Sequence, residues 1–183
     1  SEIYGVLRDQ GGQEPATIGK VFERWSQGPL SSYLIEITGA ALKSVDSKTG
    51  KPMVDVILDK AGQKGTGRWT LVEALKLGQS ANTVEAAVGA RGWSSEKDMR
   101  VAAEGLLEKG ALDTALPSED DLENAMMAAR ILSHAQGFRI LSAASDEFDW
   151  SLDLARISEI WRAGCIIRSS LLDEFAAAFR AEL

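Results

Sequence analysis

Apolar residues recur every three or four positions along almost the whole chain and alternate singly with polar ones almost nowhere. The first period is helical; a half-buried strand would alternate at two. Ile3, Val6 and Leu7 predict a helix over Glu2 to Asp9, closed by Gln10-Gly11-Gly12. Pro15 stands where a first helical turn tolerates a missing N–H, and Ile18, Val21, Phe22 and Trp25 then stripe a segment from Ala16 to Ser26. Gly28-Pro29 stops it. Ser31 or Ser32 can cap a third helix, with Tyr33, Leu34, Ile37, Ala40, Ala41 and Leu42 running to about Ser44.

Asp46 to Pro52 is a polar turn. Met53 to Lys60 fits both templates: Val54, Val56 and Leu58 alternate, while Met53, Val54, Ile57 and Leu58 share a helix face. No partner strand shows elsewhere, so a short helix is expected. A glycine-rich stretch, Ala61 to Thr70, leads into a helix over Trp69 to Leu77, with Leu71, Val72 and Leu75 turned inward and Gly78 as its stop. Thr83 to Ala90 follows, with Val84, Ala87 and Val88, and runs into Arg91-Gly92-Trp93. Ser94 or Ser95 is the expected cap of a helix from Glu96 to about Leu107, ended by Lys109-Gly110.

Ala111 to Pro117 connects to the strongest start in the chain, Ser118 followed by Glu119, Asp120 and Asp121, a cap with acids on the positive end of the dipole. The helix reaches about Ala144, or about 40 Å at 1.5 Å per residue. Its middle is almost all Ala, Met, Ile and Leu, which predicts other helices around most of it. Asp146 to Asp153 turns the chain into Leu154 to Trp161 and Ile166 to Arg180, split at Ala163-Gly164. The expectation is all-α: a single large helical domain spanning residues 1–183, with one long central buried helix.

The 183 residues suffice for one core. A net charge of −7 argues against nucleic-acid or anionic-membrane partners, which need clustered cations, but leaves room for a small anion. The single cysteine, Cys165, allows no internal disulfide and points to a reducing, cytoplasmic setting. One Cys and one His, His134, make no conventional zinc site, and no metal is expected. No apolar run approaches the roughly 20 residues of a membrane span. The first residues, Ser-Glu-Ile-Tyr-Gly-Val-Leu-Arg, lack signal-peptide shape and begin inside a predicted helix, as a fragment would.

Candidate chemistry is sparse. The Ala61–Thr70 loop sets Lys64 and Thr66 among Gly62, Gly65 and Gly67, just before a helix. Such a loop can offer N–H groups and a dipole end to a phosphate, although its spacing is not that of a P-loop and most glycine-rich loops merely connect. Arg91 ends a helix of Ala and Val; an arginine in that company needs an anionic partner, either an internal carboxylate or a ligand phosphate. His134 reads as a core or partly buried histidine bonded to a carbonyl, Cys165 as an inert thiol near a helix start, and Ser169-Ser170 has no acid–base pair nearby in sequence. Glu119-Asp120-Asp121 reads as a helix cap. No catalytic set stands in the chain.

Several stretches together carry a resemblance: Leu34-Ile35-Glu36-Ile37-Thr38, Ala61 to Thr70, Ala90-Arg91 with Ser94-Ser95, Ser133-His134-Ala135-Gln136-Gly137-Phe138, and Trp161 to Ser169. In this order they resemble the helical C-terminal domain of the decarboxylating 6-phosphogluconate dehydrogenases over nearly the whole chain. The resemblance implies an NADP-binding Rossmann domain elsewhere, a helical domain that forms a homodimer, and 6-phosphogluconate between them. It implies oxidation at C3, loss of the carboxylate once a carbonyl lies β to it, and tautomerisation to ribulose 5-phosphate without a metal. It assigns the substrate phosphate to Lys64, Thr66 and Arg91.

The departures bound what these residues can do. No Gly-x-Gly-x-x-Gly follows a strand, so the Rossmann domain is expected to be absent. So are the family's segment carrying the general base and acid, and its C-terminal tail. His134 stands where the family usually has tyrosine, and Gly89 and Trp93 flank Arg91 where it has other sizes. The expectation is a substrate-binding and dimerising domain of an NADP-dependent enzyme, inactive alone and holding no cofactor itself. The alternative is a non-catalytic helical assembly module that kept the fold.

Overall fold

The computed structural model describes residues 2–106 and 115–181. Among them every regular element is helical, and two isolated bridges, Ser32 with Ser169 and Val45 with Pro52, are the only extended pairings. The helices are α1 (Glu2–Gly5), continued by a π-turn over Val6–Gln10, then α2 (Pro15–Trp25), α3 (Tyr33–Lys43), α4 (Met53–Val56), α5 (Thr66–Lys76), α6 (Asn82–Ser95), α7 (Lys97–Glu104), α8 (Glu119–Glu147), α9 (Leu154–Trp161) and α10 (Leu171–Ala181). They group into two compact units, one of residues 2–57, 115–129 and 153–181, the other of residues 58–106 and 130–152.

The first unit holds the larger core. The α2 stripe is buried as its spacing predicts, with Ile18, Val21, Phe22 and Trp25 at 0–4% exposure and Phe22 edge-on to Trp25, centroids 5.3 Å apart. Leu7, Leu30, Leu42 and Leu122 close around it. Of the two candidate caps of α3 the structure uses Ser32, whose Oγ accepts from the Ile35 N–H. Of the apolar set read from the sequence Leu42 is buried, joined by Ile35 and Gly39, while Leu34 and Ile37 stay exposed. The cause is the crossing of α2 and α3, which meet glycine against glycine. A Cβ on Gly39 would lie 3.1 Å from the Glu23 nitrogen and 3.2 Å from the Gly19 carbonyl oxygen.

The last helix starts at Leu171, later than the expected Ile166. The preceding residues spend their backbone groups elsewhere: the Tyr33 N–H donates to the Arg168 carbonyl at 3.2 Å and the Ser170 N–H to the Ser31 carbonyl at 3.1 Å. Residues 168–170 are thus tied to residues 31–33, and the Ser170 N–H is not free for the Ile166 carbonyl that a helix would give it.

In the second unit α5 packs on α6, and α8 supplies residues 130–147. α5 begins at Thr66, three residues before the expected Trp69, because Gly65 at φ 96° turns the chain into it. Its buried residue is Ala74; Val72 and Leu75 are exposed, contrary to the face read from the sequence. Small residues face α6 because the helices lie close: a Cβ on Gly67 would stand 2.6 Å from Val88 Cγ2. α6 runs through Gly92 to Ser95, so Arg91 sits within the helix and does not end it. Neither serine caps α7: Ser94 Oγ accepts from the Ala61 N–H at 2.9 Å, and Ser95 Oγ donates to the Gly92 carbonyl at 2.6 Å. The expected stop at Lys109-Gly110 lies outside the described residues.

α8 begins as predicted. The Asp121 N–H donates to Ser118 Oγ at 3.1 Å, and that hydroxyl donates to Asp121 Oδ2 at 2.7 Å. Its burial is less than expected. Leu122, Phe138 and Ala144 are buried, but Ile131 and Leu132 are 41% and 61% exposed. Within this chain the helix is covered along a narrow stripe and open over much of its apolar middle. No helix among the described residues is long and apolar enough to cross a membrane.

Candidate functional site

The three residues assigned from sequence line one cleft of about 310 Å³ in the second unit: Lys64 and Thr66 on one wall, Arg91 on the other, with Val84, Ala87 and Val88 forming an apolar floor. The path from sequence to this geometry is short. Gly65 adopts the left-handed conformation a side chain would resist, which swings Thr66 into the first position of α5. The helix's own ladder starts only at the Trp69 N–H, bonded to the Gly65 carbonyl. The N–H groups before it have no carbonyl four residues back, so the mouth of the cleft has a positive dipole end. Gly67 lets α5 approach α6 closely enough for Lys64 and Arg91 to share the space.

Both cations are exposed, and neither has a hydrogen-bond or ion-pair partner among the described residues. The internal carboxylate that the sequence allowed for Arg91 is therefore not found there. Two unpaired cations, a hydroxyl and a helix start suit an anion with several oxygens, a phosphate monoester above all.

The larger cleft, about 560 Å³ in the first unit, is different. Its arginines are already engaged, Arg162 with Asp173 at 2.8 Å and Arg168 stacked 3.9 Å over the Tyr33 ring. The two clefts differ in the state of their charges: engaged in the larger one, unpaired in the smaller.

The other chemical candidates keep to their plain readings. His134 Nδ1 donates to the Arg130 carbonyl, 2.8 Å away on the same helix. Cys165 is not at a helix start; its thiol is half-buried and donates to the Trp161 carbonyl at 2.9 Å. Among the described residues no three acids, histidines or cysteines gather as metal ligands. Among the described residues no strand precedes a glycine-rich turn, the setting in which the dinucleotide glycine fingerprint works.

Sequence reasoning missed the residues that hold the cleft together. Gln63 Nε2 donates to the Val88 carbonyl at 3.0 Å, and Gln136 Oε1 accepts from the Thr83 N–H at 3.1 Å and hydroxyl at 2.7 Å, capping α6 from another helix. Arg100 joins Asp59 to the end of α6. The pairs Gln63–Val88, Arg100–Asp59 and Gln136–Thr83 lie 25, 41 and 53 residues apart, and no local pattern marks them.

Residues 1–183 match the family described as 6-phosphogluconate dehydrogenase, C-terminal domain. The chain is 42% identical over 186 residues to the NADP(+)-dependent, decarboxylating 6-phosphogluconate dehydrogenase of Bacillus subtilis, covering 100% of this chain and 40% of that protein. It is 41% identical over 186 residues to decarboxylating 6-phosphogluconate dehydrogenase 1 of Saccharomyces cerevisiae, covering 99% and 38%. The Plasmodium falciparum enzyme, solved apo, with its cofactor NADP+ and with its substrate 6-phosphogluconate, superposes with a TM-score of 0.92 at 38% identity. That match covers 98% of this chain and 40% of the other. The chain thus spans about 40% of the length of such relatives.

Proposed function

Because this chain belongs to the 6-phosphogluconate dehydrogenase family, as that family's C-terminal domain, we propose that its cleft grips the phosphate end of 6-phosphogluconate. The observation that carries this reading is the pair of unpartnered cations, Lys64 and Arg91, facing one space with Thr66 at a helix start. A phosphate dianion matches that charge. Each charge-assisted bond contributes about 1.5–3 kcal/mol, and holding the remote end of a substrate positions its reacting carbons.

In this reading the whole enzyme oxidises and decarboxylates 6-phosphogluconate, with NADP, named for the Bacillus and Plasmodium relatives, as oxidant. These residues contribute grip and assembly, and the 183-residue chain alone does not turn substrate over. The lone thiol fits a reducing, cytoplasmic setting. The exposed apolar side chains of each unit, Leu132 and Leu75 in one, Ile160 and Ile166 in the other, support a homodimer built through this chain.

Calorimetric titration with 6-phosphogluconate tests the grip. Lys64→Ala and Arg91→Ala should each weaken binding about 10- to 100-fold, the equivalent of one lost charge-assisted bond. Unchanged affinity in both variants would remove the site. The second reading, an assembly module without substrate, is favoured by the same exposed apolar surface and predicts no measurable binding by the unsubstituted chain.

A further inference from the structure

The two walls of the cleft are separate pieces of chain. Lys64 and Thr66 belong to the loop after Leu58 and the start of α5; Arg91 belongs to α6. Something must set the distance between them. Neither wall reaches the other through the cations themselves, which have no partners among the described residues.

One guanidinium outside the cleft touches both walls. Arg100, on α7, donates from Nη1 to Asp59 Oδ2 and from Nη2 to the Asp59 carbonyl, both at 2.9 Å, which holds the start of the loop. The same group donates from Nε to the Trp93 carbonyl at 3.1 Å and from Nη2 to the Ser94 carbonyl at 3.3 Å, which holds the last turn of α6. Ser94 adds a second tie through its Oγ, which accepts the Ala61 N–H at 2.9 Å. We infer that Arg100, with Ser94, is a positioning residue of the anion site: it fixes the glycine loop against α6 so that Lys64 and Arg91 face one phosphate. The inference rests on the phosphate reading of the cleft.

Three features favour positioning over plain stability. The ion pair with Asp59 is exposed, and such pairs add little to folding free energy. The planar fork is divided between the two walls, where a residue that only capped α6 would need none of its bonds to Asp59. Asp59 is held in its ionised form, its carboxyl kept below the usual range by the hydrogen bond from Arg100, so the tie persists across neutral pH.

The test is titration of the 183-residue chain with 6-phosphogluconate and, separately, inorganic phosphate, alongside its thermal unfolding. Arg100→Ala and Ser94→Ala should each weaken both ligands about tenfold, the loss typical when a partner behind a direct ligand is removed, with little change in Tm. Arg100→Lys, which keeps the charge and loses the fork, should not rescue. In a Lys64→Ala background the Arg100→Ala effect should shrink to about twofold or less, because both act on one grip.

Full additivity of the two substitutions, or wild-type affinity in Arg100→Ala and Ser94→Ala while Lys64→Ala binds poorly, would overturn the inference. Should Arg100→Ala unfold the chain, Ser94→Ala carries the test, since it removes only the loop tie. Wild-type affinity in both Lys64→Ala and Arg91→Ala would instead remove the phosphate reading and this inference with it.

Discussion

Gly65 and Gly67 flank Thr66 and serve it for different reasons. Gly65 stands at φ 96°, where an L side chain meets its own backbone. Gly65→Ala should therefore lower stability by about 1–2 kcal/mol in denaturant unfolding and weaken phosphate binding with it. Gly67 has helical backbone geometry and is small because Val88 is near. Alanine there gains about 1 kcal/mol of helix propensity against an overpacking cost of about 1–3 kcal/mol. The sign should reverse in a Val88→Ala background, where Gly67→Ala becomes stabilising; destabilisation there would mean that Val88 is not what keeps position 67 small.

Between elements, backbone contact and charge do different work. At the α2–α3 crossing the atoms nearest a Cβ on Gly39 are main-chain atoms of Glu23 and Gly19, which cannot rotate aside. Gly39→Val must part the helices around Trp25 and Phe22. An unfolding free energy lower by about 3 kcal/mol, at the upper end of overpacking costs, is expected; a loss under about 0.5 kcal/mol, the range of ordinary surface substitutions, would refute the close crossing. α9 and α10 are joined by charge. Glu159 accepts from Arg180 and, at 3.2 Å, from Arg156, and these bonds hold its carboxyl below the usual range. A depressed folded pKa gives stability that is present above the unfolded value, about 4.3, and is lost as pH falls through the folded one. Glu159→Gln should flatten the acid limb of a denaturant-midpoint profile below about pH 4.3, where an unchanged slope would show that the pair does not couple to folding.

At the scale of the molecule, the apolar surface left open on this chain calls for a partner. Leu75, Trp69 and Trp93 are 72–78% exposed in the second unit, and Ile131 and Leu132 open the middle of α8. The proposed homodimer would cover this surface. Sedimentation at micromolar concentration should give about twice the 19.7 kDa chain mass, and Leu132→Glu should shift it toward the monomer. A monomer throughout would leave the homodimer unsupported.

Helix existence was readable because the period of three and four is local: Ile18, Val21, Phe22 and Trp25 point inward whatever surrounds α2, and Ser118 caps α8 with residues three positions away. The candidate phosphate residues came from sequence as well, since Lys64, Thr66 and Arg91 sit in stretches whose resemblance to one family is specific, and the structure brings the three to one cleft. Tertiary structure decided what depends on a neighbour distant in sequence. It chose Ile35 over Ile37 for burial in α3, because only contact across Gly19 and Gly39 turns the helix. It converted Ser94 from an expected cap into an anchor for Ala61, and it recruited Arg100 to hold both walls of the cleft. Periodicity is a property of adjacent turns and is present in the sequence; the bonds that tie the two walls span 25, 33 and 41 residues, which only folding brings together.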